Sequence, residues 1–127
     1  DPDVDAICRM IYKPECKFDT EEWFTTDKLT VFNSQNTILK RDALKHYFMF
    51  DKVGRMDDIF GSYILQKKGF NVVFGPPTVY QARNEHDLTV DLVKEYIGYE
   101  NVKDINTSTD FMPMQSYNRY VEISSFL

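Results

Sequence analysis

Two stretches of this sequence carry complete helix punctuation, and they constrain the fold more than any other feature. In the first, Ile59, Phe60, Tyr63 and Ile64 recur at spacings that put them on one helical face. Asp57 and Asp58 stand at its start, where acids suit the positive end of the helix dipole. Gly69 stands where a left-handed cap is needed. A helix is therefore predicted over residues 57–68. In the second, Asp87 offers an N-cap, and Leu88, Leu92, Val93, Tyr96 and Ile97 form an apolar face. With Gly98 as its stop, this predicts a helix over residues 87–97.

Between and before these helices the signals are shorter. Asn71-Val72-Val73-Phe74 reads as a strand, Gly75-Pro76-Pro77 as a turn, and residues 78–81 as a further short strand. Thr30-Val31-Phe32 and Thr37-Ile38-Leu39 read as two more, followed by a helix over 41–48 with Leu44, Tyr47 and Phe48 at helical spacing. A short helix over 3–12 would place Val4, Ile7, Cys8 and Ile11 on one face before Lys13-Pro14 breaks it. Residues 18–29 read as loop with Trp23 and Phe24 as anchors, and residues 112–127 as an amphipathic helix or strand packing back on the body. The order predicts an α/β fold with a small mixed sheet and flanking helices. The strands are too few and too short for a complete doubly wound sheet.

At 127 residues, 43% of them hydrophobic and 15% aromatic, the chain fits one domain, 1–127, with its core in residues 1–100 and an extension over 101–127. The net charge of −5 lacks the basic footprint of a general nucleic-acid binder. No stretch approaches the length of a membrane span. Cys8 and Cys16 are too few for a disulfide scaffold or a cysteine-rich zinc site; eight positions apart, they allow one bridge, but two free thiols are the favoured reading. Together with the lack of a signal peptide before Asp1, they favour a cytosolic setting. There is no phosphate-cradling glycine loop and no serine-hydrolase signature.

Four groups could carry chemistry. Asp57 and Asp58 are adjacent carboxylates at a helix start. One acid suffices to cap, whereas two repel, and such repulsion can poise one as a general base. Asn33-Ser34-Gln35-Asn36-Thr37 is either a polar turn cluster or a hydrogen-bonding wall for a hydroxyl-rich ligand such as a sugar. Arg83-Asn84-Glu85-His86 is a charged loop in which His86 is a surface residue, a metal ligand or a base. Asp1, Asp3 and Asp5 form either a solvated end or oxygen ligands for Mg²⁺ or Mn²⁺. His46 carries no such signal.

Taken together, Asp3-Val4-Asp5-Ala6-Ile7, Phe32-Asn33-Ser34-Gln35-Asn36-Thr37, Gly54-Arg55-Met56-Asp57-Asp58-Ile59 and Tyr80-Gln81-Ala82-Arg83-Asn84-Glu85-His86-Asp87-Leu88 resemble the C-terminal half of a GT-A glycosyltransferase. The likeness is to the STELLO-like family and, more distantly, to the plant reversibly glycosylated polypeptides that act as UDP-arabinopyranose mutases. It spans about residues 1–100. Phe60 stands where that pattern has tryptophan. The resemblance implies a partial GT-A fold, the acceptor-side half, with the nucleotide-binding half upstream of Asp1. It implies transfer of a sugar from a nucleotide sugar to a sugar or protein acceptor, with Mn²⁺ or Mg²⁺ on the diphosphate and a chain inactive alone. Asp58 would then be the catalytic base and Asp57 its neighbour. Asn33, Gln35, Asn36, Arg55, Arg83 and Asn84 would hold substrate, and His86 would contribute to the metal. The STELLO-like proteins are Golgi proteins, which makes the Golgi lumen the alternative setting. The competing expectation is a non-catalytic binding or scaffolding domain derived from the same fold.

Overall fold

The computed structural model describes residues 4–12, 14–15, 21–102 and 114–126. The readings made on Asp1, Asp3 and Cys16 lie outside these residues. Helices and strands occur together, as the sequence pattern predicts. The sheet is a single antiparallel pair among the described residues, smaller and simpler than the mixed sheet expected.

Helix α1 spans Ala6–Ile11. The Cys8 N–H donates to Asp5 Oδ1 at 2.7 Å, and the Ala6 N–H donates to Glu95 Oε2 at 2.9 Å. Two of the orphan donors of its first turn are thereby satisfied, one locally and one by a distant helix. Asp5 is thus a helix cap. Ala6, buried, is the residue on which α1 rests, while Ile7 and Ile11 of the predicted apolar face are exposed, Ile11 by 66%. A small side chain permits close approach of two helices, and here it sets the buried face.

Strand β1, Phe24–Thr25, pairs with β2, Val73–Phe74. Phe24 stands opposite Phe74 and their rings stack at 5.0 Å. Thr25 Oγ1 donates to Val72 O at 2.7 Å. Trp23 is 72% exposed yet still an anchor, because its ring lies on the backbone of Gly75, where a Cβ would come within 2.6 Å of it.

The strands expected at 30–32 and 37–39 do not form. The reason at Thr30 is specific: its backbone pairs with a side chain. The Thr30 N–H donates to Gln66 Oε1 at 2.9 Å, and Gln66 Nε2 donates back to Thr30 O and to Ser62 O. A helix glutamine thus does what a neighbouring strand would do. Nor is there a strand at 78–81. Helix α2 is a single turn, Arg41–Leu44, instead of the eight residues predicted. Leaving the helix there puts Tyr47 against Gly61, where a Cβ would fall 2.7 Å from the phenol ring, and Phe48 against Phe50, Tyr117 and Tyr120.

A 3-10 turn, Gly54–Met56, runs into helix α3, Asp57–Lys67, which ends at Gly69 with φ +90° as the glycine predicts. The core is Phe50, Val53, Phe60, Ile64 and Tyr117, bordered by Phe48, Met56, Tyr63, Val102 and Val121. It is rich in rings, and fully buried Phe60 at its centre is worth about 3–5 kcal/mol against truncation to alanine. Helix α4, Leu88–Val102, runs straight through Gly98. That glycine is not a stop. It is buried under Met56, whose side chain a Cβ would overlap. Leu88 and Leu92 are half-buried, but Val93, Tyr96 and Ile97 of the predicted face are exposed, Val93 by 68%. The helix docks through a narrow strip on α1 and the 3-10 turn. Helix α5, Met114–Ser124, packs back as anticipated: Tyr117 is buried edge-on to Phe48, and the Tyr120 hydroxyl donates to Leu44 O. Among the described residues no helix is long and apolar enough to cross a membrane.

Candidate functional site

The carboxylate pair sits where the 3-10 turn becomes α3. Each acid folds back on the chain: the Asp58 N–H donates to Asp57 Oδ1 at 2.9 Å, and the Ile59 N–H donates to Asp58 Oδ1 at 2.8 Å. The N-cap residue itself, Met56, makes no side-chain cap hydrogen bond, so the acids serve first-turn N–H groups from within the helix and do not cap it from the residue before. Asp58 does more. Its Oδ2 accepts from the Ser34 N–H at 2.9 Å and from Ser34 Oγ at 3.2 Å. With about four lone-pair positions on a carboxylate, three donors leave room for about one more.

This contact brings the polar run 33–37 onto the start of α3. The run is itself knotted: the Gln35 N–H donates to Asn33 Oδ1, the Thr37 hydroxyl to Asn33 O, and Thr78 Oγ1 to Asn36 Oδ1. Tyr47 closes the group from behind, its ring stacked on Phe32 at 5.9 Å. Burial pushes its phenol up to about 12. The Asp58 and Asp57 charges act in the same sense, and the neighbouring Ser34 hydroxyl in the opposite one.

A second group forms at the start of α4. The Arg55 guanidinium pairs with Asp91 Oδ1, and His86 Nδ1 stands 3.1 Å from Asp91 Oδ2. The hydrogen bond from Arg55 holds Asp91 below the usual carboxylate range. Partial burial opposes it, and the charges of Arg55 and His86 reinforce it. An ionised carboxylate only accepts, so the imidazole proton is on Nδ1, and in neutral His86 the lone pair is on Nε2. Asp87 caps α4 through the N–H groups of Thr89 and Val90, as its position predicted.

His86 opens onto a cleft of about 430 Å³ between the end of α1, with Arg9 and Tyr12, and the loop holding Arg83, Asn84 and Glu85. The structure therefore gathers the predicted residues in two sets. Asp57, Asp58, Asn33, Gln35 and Asn36 lie on the start of α3 and the loop tied to it. Arg83, Asn84 and His86 line the cleft, and Arg55 buttresses His86 through Asp91. Two residues that the sequence did not single out organise these sets. Ser34 lay inside the polar run but was not distinguished within it. Asp91, one helical turn past the Asp87 cap, carried the only available signal, an acid five positions after a histidine.

A divalent cation at His86 does not fit these residues. Among the described residues no group of three or more His, Cys, Asp or Glu side chains could hold a metal ion. Asp91, the carboxylate 3.1 Å from His86, is already paired with Arg55, whose guanidinium would repel a cation. Comparison with family models, with curated proteins and with solved structures gives no match to this chain.

Proposed function

We propose that this chain is the acceptor-side part of a nucleotide-sugar-dependent glycosyltransferase of GT-A type, of the STELLO-like kind. The observation that carries this reading is the Ser34–Asp58 contact. It joins two of the motifs on which the resemblance rests, 24 residues apart in sequence, into one polar surface. Chemically, that surface suits the acceptor side of glycosyl transfer. The acceptor hydroxyl must lose its proton as it attacks an oxocarbenium-like carbon, and a rigidly held carboxylate can take it. Asp58 has that role, with Asp57 beside it. Asn36, Gln35 and Asn33 offer the amides that orient a hydroxyl-rich acceptor. Among the described residues no group of three or more His, Cys, Asp or Glu side chains is placed to hold the leaving diphosphate's cation.

A second reading, a non-catalytic binding domain, is favoured by one specific observation: Asp58 already accepts three hydrogen bonds. In that reading Asp58 is a staple between α3 and the 33–37 loop. Asp58→Asn in the full-length protein separates the two. The amide keeps an acceptor for the Ile59 N–H but turns a donor toward Ser34, and about 1 kcal/mol of stability is lost in either case. Sugar transfer, measured well below both melting temperatures, should fall by roughly 10² if Asp58 is the base. Undiminished transfer would leave the staple as its only role.

A further inference from the structure

We propose that residues 76–80 form a polyproline-type ridge that docks into the aromatic-lined groove of a proline-recognising protein domain, of the SH3 or WW kind. This surface is separate from the sugar-transfer reading and does not depend on it.

The local sequence dictates the backbone. The rings of Pro76 and Pro77 lock φ near about −65°, and the proline that follows each of them holds Gly75 and Pro76 extended. Residues 75–87 join neither a helix nor a strand. Toward the described residues, 76–82 make one hydrogen bond, and it comes from a side chain: Thr78 Oγ1 donates to Asn36 Oδ1 at 3.1 Å. An extended chain with fixed φ and an unpaired backbone matches polyproline II.

The contacts with the body repeat with the same period. Polyproline II turns once every three residues, so 75, 78 and 81 share one edge. That edge lies on the protein. The Trp23 ring covers Gly75, Thr78 is tied to Asn36, and Gln81 is half-buried. The other two edges carry 76 with 79 and 77 with 80. Pro76 is half-buried and Pro77 exposed, while Val79 is 60% and Tyr80 90% exposed. The outward pattern is therefore pair, spacer, pair: Pro76-Pro77, then Thr78 turned to the body, then Val79-Tyr80. Grooves between aromatic side chains take successive turns of a proline-rich segment in this way.

The chemistry selects the occupant. Pro76 and Pro77 have no N–H, so the backbone there offers carbonyl acceptors only. A partner must bring donors along with apolar surface. Indole N–H and phenol O–H groups on the walls of a groove supply both. A partner strand is disfavoured, because two of the five residues 76–80 cannot donate to a ladder. The ties at 75 and 78 hold the segment straight before any partner arrives, so docking costs it little conformational freedom.

The test is titration of the isotopically labelled 127-residue chain with a panel of purified SH3, WW and EVH1 domains, followed by amide NMR shifts. At least one domain should shift the Thr78, Val79 and Tyr80 signals, with a Kd on the order of 1–100 μM. Pro77→Ala and Tyr80→Ala should each weaken that binding about tenfold. Val93→Ala, a control on an exposed apolar residue of α4, should leave it unchanged. Pro77, Tyr80 and Val93 are all exposed, so the variants should fold, and the dispersion of the remaining amide signals verifies this. No shift at these residues with any domain at about 1 mM overturns the proposal. So does binding that Val93→Ala weakens as much as Tyr80→Ala, which would be general apolar adhesion. Binding that survives Pro77→Ala, where an N–H is restored, would assign the segment to strand addition and overturn the proposal as well.

Discussion

Gly54→Ala is the perturbation that most directly tests how the two halves of the site are held together. Gly54 has φ +61°, in the left-handed region, and its Cα faces the middle of α4. A Cβ there would overlap Lys94 O and lie 3.1 Å from Lys94 C and 3.4 Å from Ile97 Cβ. The overlapping atom is a helix backbone carbonyl, which cannot swing aside as a side chain can. Left-handed backbone costs an alanine about 1–2 kcal/mol. Forced overpacking adds about 1–3 kcal/mol. Stiffening of the unfolded chain offsets about 0.4–1 kcal/mol. The net is a destabilisation of about 3 kcal/mol. Gly69→Ala is the matched control, because Gly69 has φ +90° but nothing within 4 Å of the added carbon. It should lose only the conformational part, about 1 kcal/mol. Urea unfolding of the three proteins with a common slope gives both numbers. The difference of about 2 kcal/mol corresponds to a gap of roughly 8 °C in Tm for a chain of this size. If Gly54→Ala proves no worse than Gly69→Ala, α4 does not sit on the 3-10 turn, and the link from Arg55 to His86 falls with it.

Three further outcomes follow from the titrating groups. His46, whose pKa is lowered from 6.5 by burial and then by the Lys68 and Lys45 charges, should titrate below 6.5 by NMR, and Lys68→Gln should raise it. Because the folded value lies below the unfolded one, its contribution is fully present above pH 6.5 and fades as pH falls through the folded value. Arg55→Met should let the pKa of Asp91 rise toward 3.8, so the variant should be less stable than the native protein above that pH and converge with it in stronger acid. Tyr47 should stay un-ionised in a spectroscopic titration until about pH 12, and the double change Asp57→Asn with Asp58→Asn should lower that midpoint.

How much was legible in the sequence follows from where the deciding partners lie. Helix α3 was readable because its stripe, its acids and Gly69 are all local. The start of α4 was readable for the same reason, through Asp87. Its end was not, because a glycine looks alike whether it stops a helix or admits a neighbour, and Gly98 admits Met56. Thr30-Val31-Phe32 has strand composition, but its backbone partner is the Gln66 side chain, 36 positions away, and nothing in a β-propensity announces that. The apolar face assigned to α4 failed because docking through Gly98 uses a narrow strip and leaves Val93 and Tyr96 outside. At the site the residue types were readable and their pairing was not. Asp58 invited two interpretations because capping and base catalysis draw on the same local pattern, and the Ser34 contact that bears on both is non-local.

The triplet Gly54-Arg55-Met56 gains a meaning that its sequence did not suggest. Each of its residues addresses α4. Gly54 admits the backbone at Lys94, Arg55 grips Asp91, and Met56 covers Gly98. These contacts recur along α4 at positions 91, 94 and 98, three and four residues apart, which places them on one helical face. The turn is therefore a docking ridge whose next residues, Asp57 and Asp58, begin α3. Two acids, each in the first turn of its helix, then tie down the two polar loops: Asp58 holds Ser34, and Asp91 holds His86. A displacement of α4 along that ridge would move Asp91, and with it His86, relative to the carboxylate pair. The geometry of the two sets thus depends on packing at Gly54 and Gly98. This is why a methyl group at Gly54 should disturb the site more than the loss of a single surface charge.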